Sequence, residues 1–125
     1  MDLIPYTEGH RIFRDSFRKF LKQEIVPHIE AWEEAGIVPR DVWTKMGQAG
    51  FLCTAIPEQY GGPGADFLHA VIIIEELANC NFSGLGIRLH SDVVTPYLLD
   101  YATEDQKQKY LPRCVSGEFI TAIGM

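Results

Sequence analysis

The sequence is poor in cysteine, in long apolar runs and in basic residues, and each shortage excludes a class of protein. Its 3 cysteines lie far apart with no Cys-x-x-Cys pair, which indicates reduced thiols rather than a disulfide framework. No apolar run approaches the roughly 20 residues needed to cross a bilayer. The net charge is −6, whereas nucleic-acid binding requires clustered Lys and Arg. We therefore expect neither a membrane span nor a nucleic-acid partner.

A targeting segment is also lacking. The first residues, Met-Asp-Leu-Ile-Pro, carry no basic n-region of a signal peptide. This start predicts the bacterial cytoplasm, with the mitochondrial matrix as the alternative because a removed transit peptide leaves no trace. The 125 residues, 46% of them hydrophobic, are enough for one compact core.

Two helices are predicted before residue 50. Thr7 is placed to cap the first, whose apolar stripe advances in three- and four-residue steps. Pro27 removes a backbone hydrogen bond and predicts a kink, followed by a helical continuation that stops at Gly36. Pro39 restarts a helix, and Gly50 stands where a left-handed C-terminal residue is wanted. The stripe consists of Phe13, Phe17, Phe20, Leu21 and Ile25, and the second helix should bury Val42, Trp43, Met46 and Ala49.

The middle of the chain predicts two further helices. Residues Phe51–Pro57 are expected to run extended into a glycine turn at 61–64. Phe67–Ala78 carries apolar side chains on almost every side, which predicts a centrally buried helix. The next helix is expected over Leu85–Tyr101, with a disturbance at Pro96.

The C-terminal part combines a capped helix with an unpaired strand. Thr103-Glu104-Asp105-Gln106 has the form of a capping box, opening a helix that ends near Leu111-Pro112. Phe119–Ile123 is apolar and short enough for a strand, but no neighbour is available to pair with it. The fold class is therefore all-α: an orthogonal or up-and-down bundle of about five to six helices. It is expected to end in the first strand of a β-domain that the chain does not include.

No metal or nucleophile motif stands out. His69 and Glu76 share a helix face, but two ligands without a third do not make a zinc or iron site, so no metal is expected. Neither Ser83 nor Ser91 has a histidine and a carboxylate at the spacing of a catalytic triad. The glycines at 61–64 lack the lysine of a phosphate loop and are typical of a turn. The basic run from Arg11 to Lys22 indicates a solvated helix face.

The segment Phe82–His90 has two interpretations, because Gly84 and Gly86 open a helix with apolar neighbours. Absent side chains either let helices pack closely, with Arg88 paired to Asp92, or leave a groove for an apolar ligand. The residues alone leave both open.

Several motifs together resemble the acyl-CoA dehydrogenase family in order and spacing from about Tyr6 to the end of the chain. They are Gly50-Phe51-Leu52, Ile56-Pro57-Glu58-Gln59-Tyr60-Gly61-Gly62-Pro63-Gly64, Glu75-Glu76-Leu77-Ala78, His90-Ser91, Thr103-Glu104-Asp105-Gln106-Lys107, Lys109-Tyr110-Leu111-Pro112 and Ser116-Gly117-Glu118. The resemblance implies that residues 1–118 form the N-terminal helical domain of that family and that 119–125 begin its middle β-domain.

The resemblance also implies a chemistry. A family member is a flavoprotein that oxidises an acyl-CoA to the trans-2-enoyl-CoA, with a glutamate taking the α-proton and FAD accepting the β-hydride. Electrons then pass to an electron-transferring flavoprotein, and the full-length enzyme is a homotetramer or homodimer. The catalytic glutamate lies downstream, so no catalytic residue is assigned here and a fragment alone is expected to be inactive.

Five residues carry over from the family's sites. Gly84, Leu85 and Arg88 fall where members line the deep end of the acyl pocket, and Ile123 and Met125 fall on the strand next to the flavin. The small residues Gly84 and Gly86 resemble the long-chain branch of the family, whereas Arg88 departs from the family pattern. Either the Arg88 side chain points toward Asp92, or the substrate tail carries a polar group. An acyl-CoA oxidase, a flavin monooxygenase of the same architecture and a stand-alone helical interaction module remain alternatives.

Overall fold

Six α-helices form within residues 3–124, which are the residues that the computed structural model describes. Among these residues α1 (Glu8–Phe20) packs on α4 (Phe67–Asn79), and α6 (Glu104–Ser116) packs on both α3 (Arg40–Gln48) and α5 (Thr95–Tyr101). The predicted all-α bundle is confirmed. The helices are α1 (Glu8–Phe20), α2 (Ile29–Ala35), α3 (Arg40–Gln48), α4 (Phe67–Asn79), α5 (Thr95–Tyr101) and α6 (Glu104–Ser116), with π-helical turns at Leu21–Ile25 and Leu89–Val94 and 3-10 turns at Val26–His28 and Glu58–Tyr60.

Two prolines account for the two π-helical turns. Pro27 and Pro96 have no N–H, so neither can donate the usual bond to the residue four positions back. In each turn the residue before the proline donates one position farther back: Val26 N–H to the Leu21 carbonyl, and Thr95 N–H to the His90 carbonyl. The kink expected at Pro27 and the disturbance at Pro96 are both confirmed, and α2 ends at Gly36 (φ +74°) as predicted.

Helix α6 is longer than predicted. Thr103 and Gln106 form the expected capping box, but the helix continues through Pro112 and ends only at Gly117 (φ +81°). A Cβ on that glycine would collide with the Trp43 carbonyl of α3. The end of α6 is therefore fixed by its close approach to α3 and by a left-handed residue, rather than by the proline.

The stretch Phe51–Pro57 is a series of turns, and the expected extended run is wrong. Gly50 adopts the predicted left-handed conformation (φ +82°), and Cys53 is also left-handed (φ 51°). The Ile56 N–H donates to the Cys53 carbonyl at 3.0 Å and closes one of these turns. The backbone doubles back so tightly that a Cβ on Gly62 would collide with the Ile56 carbonyl, which explains the glycine there.

Four further expectations need correction. Phe67 is 73% exposed, so α4 is buried on one side rather than all round, and Ala49 is exposed at the end of α3. The helix expected from Leu85 begins at residue 87, because the glycine before it is left-handed. Phe119–Ile123 is irregular, and residues 3–124 contain no second strand to pair with it. The domain boundary at residue 118 stays a prediction.

Charged side chains join α1 to α4. The Arg18 Nε donates to Glu76 Oε2 at 2.8 Å, and Arg14 lies 3.2 Å from Glu75 and 3.5 Å from Glu76. The Glu76 side chain is only 6% exposed, so its charge needs these partners. The basic face predicted to be solvated is thus partly an interhelical ion-pair network.

Candidate functional site

The main cleft of the described residues lies between the C-terminal half of α4 and the start of the π-helical turn Leu89–Val94. Its volume is about 670 Å³, within the range of roughly 300–1,000 Å³ that small-molecule pockets occupy. Most of its wall is apolar. The lining residues are Ile74, Leu77, Ala78, Asn81, Phe82, Ser83, Leu85, Gly86, Ile87, Arg88, Leu89, Asp92 and Val93.

Backbone conformation gives the cleft its rim. Asn81, just after the C-terminal end of α4, is left-handed (φ 53°), and Gly86 is left-handed at +65°. These two positions reverse the chain, which lets Leu85 and Ile87 point into the core with exposed fractions of 3% and 1%. The backbone between them stays at the surface, with Gly86 exposed. The main chain at Gly86 therefore borders the cleft, and the buried side chains of Leu85 and Ile87 hold it in place on either side.

Two charged residues, Arg88 and Asp92, stand on the mostly apolar wall. No hydrogen bond or ion pair joins the Arg88 guanidinium or the Asp92 carboxylate to any residue in 3–124. Burial raises the pKa of Asp92 to about 6, and the positive charge of Arg88 opposes part of that rise. The close Arg88–Asp92 pair considered from the sequence is not formed, and both groups face the cleft without a direct partner.

The predicted substrate residues divide between two clefts. Leu85 and Arg88 line the main cleft, whereas Gly84 lines a second one of about 220 Å³. Phe82 and Ser83 border both clefts. Sequence reasoning did not assign Phe82 or Asp92 to the site. The signal available was an aromatic residue two positions before Gly84, but its ring position depends on α2, about fifty residues earlier.

The segment that leads to the predicted cofactor residues is held by a buried histidine. The fully buried His90 ring lies 2.9 Å from the Cys114 carbonyl through Nε2. Its Nδ1 accepts from the Thr121 N–H at 3.1 Å, so the proton sits on Nε2. Burial lowers the pKa of His90, which favours the neutral ring. Ile123 follows with 40% exposure, and Met125 lies outside the described residues.

A second cluster brings together His10, Asp66 and His69, whose possible ligand atoms lie within 4.8 Å of one another. The Thr7 N–H donates to His10 Nδ1 at 2.9 Å, which leaves the proton on Nε2, 2.9 Å from Asp66. His69 Nδ1 lies 2.9 Å from the same carboxylate. A metal bound to Nε2 would move the proton of His10 to Nδ1, which could then no longer accept the Thr7 N–H at the cap of α1. The three side chains instead satisfy one another through hydrogen bonds. Sequence reasoning missed this cluster because His10 and Asp66 are 56 residues apart.

A family model described as the N-terminal domain of acyl-CoA dehydrogenase matches residues 7–118. Among curated proteins, the mitochondrial long-chain specific acyl-CoA dehydrogenase of Mus musculus is 44% identical over 120 residues. That alignment covers 96% of this chain and 28% of the mouse protein.

Solved structures agree. The crystal structure of an acyl-CoA dehydrogenase from Geobacillus kaustophilus is 54% identical with a TM-score of 0.89, over 93% of this chain and 30% of that one. A structure titled as the electron transferring flavoprotein of Acidaminococcus fermentans is 31% identical with a TM-score of 0.84, over 96% of this chain and 32% of that one. The chain thus spans about a third or less of the length of these relatives.

Proposed function

The chain belongs to the acyl-CoA dehydrogenase family, and from this premise we propose that it is the N-terminal part of an FAD-dependent enzyme that oxidises an acyl-CoA to trans-2-enoyl-CoA. The observation that carries the proposal is the family match over residues 7–118. The base that takes the α-proton is a glutamate outside this chain. Glu75 and Glu76 do not qualify, because Arg14 and Arg18 already hold them in ion pairs.

The main cleft is the part of the acyl pocket that this chain contributes. Leu85 supplies a buried apolar wall and Arg88 stands at its edge. An apolar enclosure excludes water from the reacting thioester, which strengthens the interactions that acidify the α-carbon. Arg88 and Asp92 have no direct partner among residues 3–124, and a substrate tail with a polar group would supply one.

The C-terminal segment fits the edge of a flavin. The backbone groups of Ile120 and of residues 122–124 have no hydrogen-bond partner in residues 3–124, and Ile123 presents an apolar side chain beside them. Such a border suits a flat ring with polar edges, and His90 holds it in place through Thr121. FAD, when bound, supplies the hydride acceptor. We assign Ile123 and Met125 to this border.

The partners follow from the same premise. We propose that the reduced flavin passes its electrons to an electron-transferring flavoprotein and that the full-length enzyme is a homotetramer or homodimer. The compartment is the bacterial cytoplasm or, as the alternative, the mitochondrial matrix. No helix of residues 3–124 is long and apolar enough to cross a membrane.

The test is to purify the full-length native protein and add a saturated acyl-CoA without oxygen. The expected result is a yellow protein, several times heavier than the 14.1 kDa of this chain, whose flavin colour bleaches as enoyl-CoA forms. A native product near 14.1 kDa without flavin would support the helical interaction module instead. Rapid reoxidation by air with acyl-CoA bound would identify an oxidase.

A further inference from the structure

One aromatic ring stands between the two clefts. Phe82 borders the main cleft of about 670 Å³ and the second of about 220 Å³. It is only 7% exposed, and its ring centroid lies 6.0 Å from that of Trp32 in α2. The second cleft continues from this ring toward Gly36, Ile37 and Val38. The two clefts are thus neighbours with an aromatic side chain at their border.

Gly84 makes room for this ring. A Cβ at Gly84 would lie 2.9 Å from Phe82 Cε2 and 3.1 Å from Cζ, closer than an unstrained carbon contact allows. No positive φ requires glycine at this position. The absence of a side chain at Gly84 therefore leaves room for the Phe82 ring. It does not itself lengthen the main cleft, because Gly84 does not line that cleft.

We propose that the Phe82 ring is the partition that sets the longest acyl tail the main cleft accepts, with the second cleft as the space behind it. The inference rests on the proposed function, since the occupant is the end of the acyl tail. The second cleft is lined by Trp32, Ile37 and Val38, whose side chains suit methylene groups. A tail that reaches past residue 82 would enter it only if the ring moved or were removed.

The test compares the full-length holoenzyme with variants over a series of saturated acyl-CoA substrates of increasing length. Phe82→Ala should raise the kcat/KM ratio of the longest to the shorter substrates about tenfold, because each added buried methylene strengthens binding about fourfold. Gly84→Ala should lower that ratio. Its methyl group pushes the ring away from the second cleft, which Gly84 lines, and into the main one.

The double variant Phe82→Ala/Gly84→Ala provides the decisive comparison. With no ring left to displace, the effect of Gly84→Ala should vanish and the double variant should match Phe82→Ala. Phe20→Ala is the control, since Phe20 packs on Phe51 at 5.3 Å and lines neither cleft; its length profile should equal that of the parent. If Phe82→Ala gives no folded holoenzyme, Phe82→Leu serves in its place.

Two results overturn the partition while leaving the proposed function intact. One is an active enzyme whose length profile is the same with and without the Phe82 ring. The other is a Gly84→Ala effect that persists in the double variant. Loss of the proposed function itself would look different, because the parent protein would then fail to bleach with any acyl-CoA.

Discussion

Two aspartates, Asp66 and Asp92, show that polar groups in two regions of this domain differ in their burial and in their hydrogen-bond partners. Hydrogen bonds from His69, and then from His10, lower the pKa of Asp66, although slight burial opposes them. Burial instead raises the pKa of Asp92 to about 6. One carboxylate is 58% exposed yet fully partnered, whereas the other is half-buried yet has no direct partner in residues 3–124.

The contrast extends to the surroundings of each aspartate. Between α1 and α4 the charged side chains form ion pairs, as Glu76 does with Arg18 at 2.8 Å, although the buried Arg14 Nε makes no hydrogen bond within residues 3–124. Around the main cleft, Arg88 has no direct partner among the described residues, and Leu89 and Val93 are 42% and 40% exposed. Unpartnered charges beside exposed apolar groups are typical of a binding surface. The α1–α4 face holds the fold together, and the cleft is open for a ligand or for the rest of the protein.

The largest change is expected from Glu76→Gln. The substitution keeps the volume and removes the charge that Arg14 and Arg18 share. The free energy of unfolding of α1 and α4 should fall by about 2 kcal/mol. This loss is smaller than the loss expected for a fully buried ion pair, because Arg18 is half-exposed. Amide exchange of these helices in the full-length protein measures it. Glu75→Gln, at an exposed pair, is the control and should cost less than about 0.5 kcal/mol.

The next largest effect is expected from Asp92→Asn. Because the folded pKa is raised to about 6 from 3.8, the folded state holds more protons than the unfolded state between these values, and stability falls as pH rises through this window. Asparagine removes that loss and should stabilise the protein at pH 7 by about 1–2 kcal/mol. Urea denaturation at a series of pH values measures it. Equal pH slopes for the parent and the variant between pH 4 and 6 would contradict the burial of Asp92.

A smaller effect, on selectivity, is expected from Arg88→Ala. Removing a charge from the cleft wall makes that wall more apolar, so the full-length enzyme should shift its preference toward longer unsubstituted acyl chains by a few-fold. Steady-state kcat/KM over acyl lengths measures it. Arg113→Ala, which removes an arginine outside the cleft lining, should leave the profile unchanged. If the acyl-length profile of Arg88→Ala also equals that of the parent, Arg88 does not face the acyl tail.

The smallest effect is expected from Asp66→Asn. The folded pKa is lowered, so the contribution of this group is present above its ordinary value near 3.8 and is lost as pH falls through the folded value. Asparagine caps α4 as well as aspartate does, so the variant should lose only the small charge-dependent stability above pH 3.8, and its acid-side decline should flatten. The exposed position limits the size of the effect. A steeper decline below pH 4 in the variant would be inconsistent with the His10–Asp66–His69 hydrogen bonds.

Local features of the fold could be read from the sequence, and contacts between distant segments could not. The capping box at Thr103 and the stop at Gly36 depend on a few neighbouring residues, and both were predicted. The box at Thr7 has His10 in the third position, where the pattern expects glutamate or glutamine, so only its cap was found. The end of α6 was misplaced because Gly117 is fixed by α3, more than 70 residues earlier.

The same limit applies to the candidate site. The glycines of Phe82–His90 drew attention to the cleft from the sequence, and Leu85 and Arg88 lie on it. Gly84 was assigned for the space it leaves to a ligand, yet that space is taken by the Phe82 ring. A missing side chain is visible in a sequence, but the group that fills the gap depends on packing against Trp32. The sequence alone could therefore not predict that the Phe82 ring stands between two separate clefts.

The most direct measurement is amide hydrogen exchange of the full-length flavoprotein with and without a saturated acyl-CoA, kept free of oxygen. Acyl-CoA should slow exchange in residues 81–93, which form the rim of the main cleft, and leave α1 and the first turn of α4 unchanged. Unchanged exchange in residues 81–93, or protection at the His10–Asp66–His69 cluster instead, would contradict the assignment of the cleft to the acyl tail.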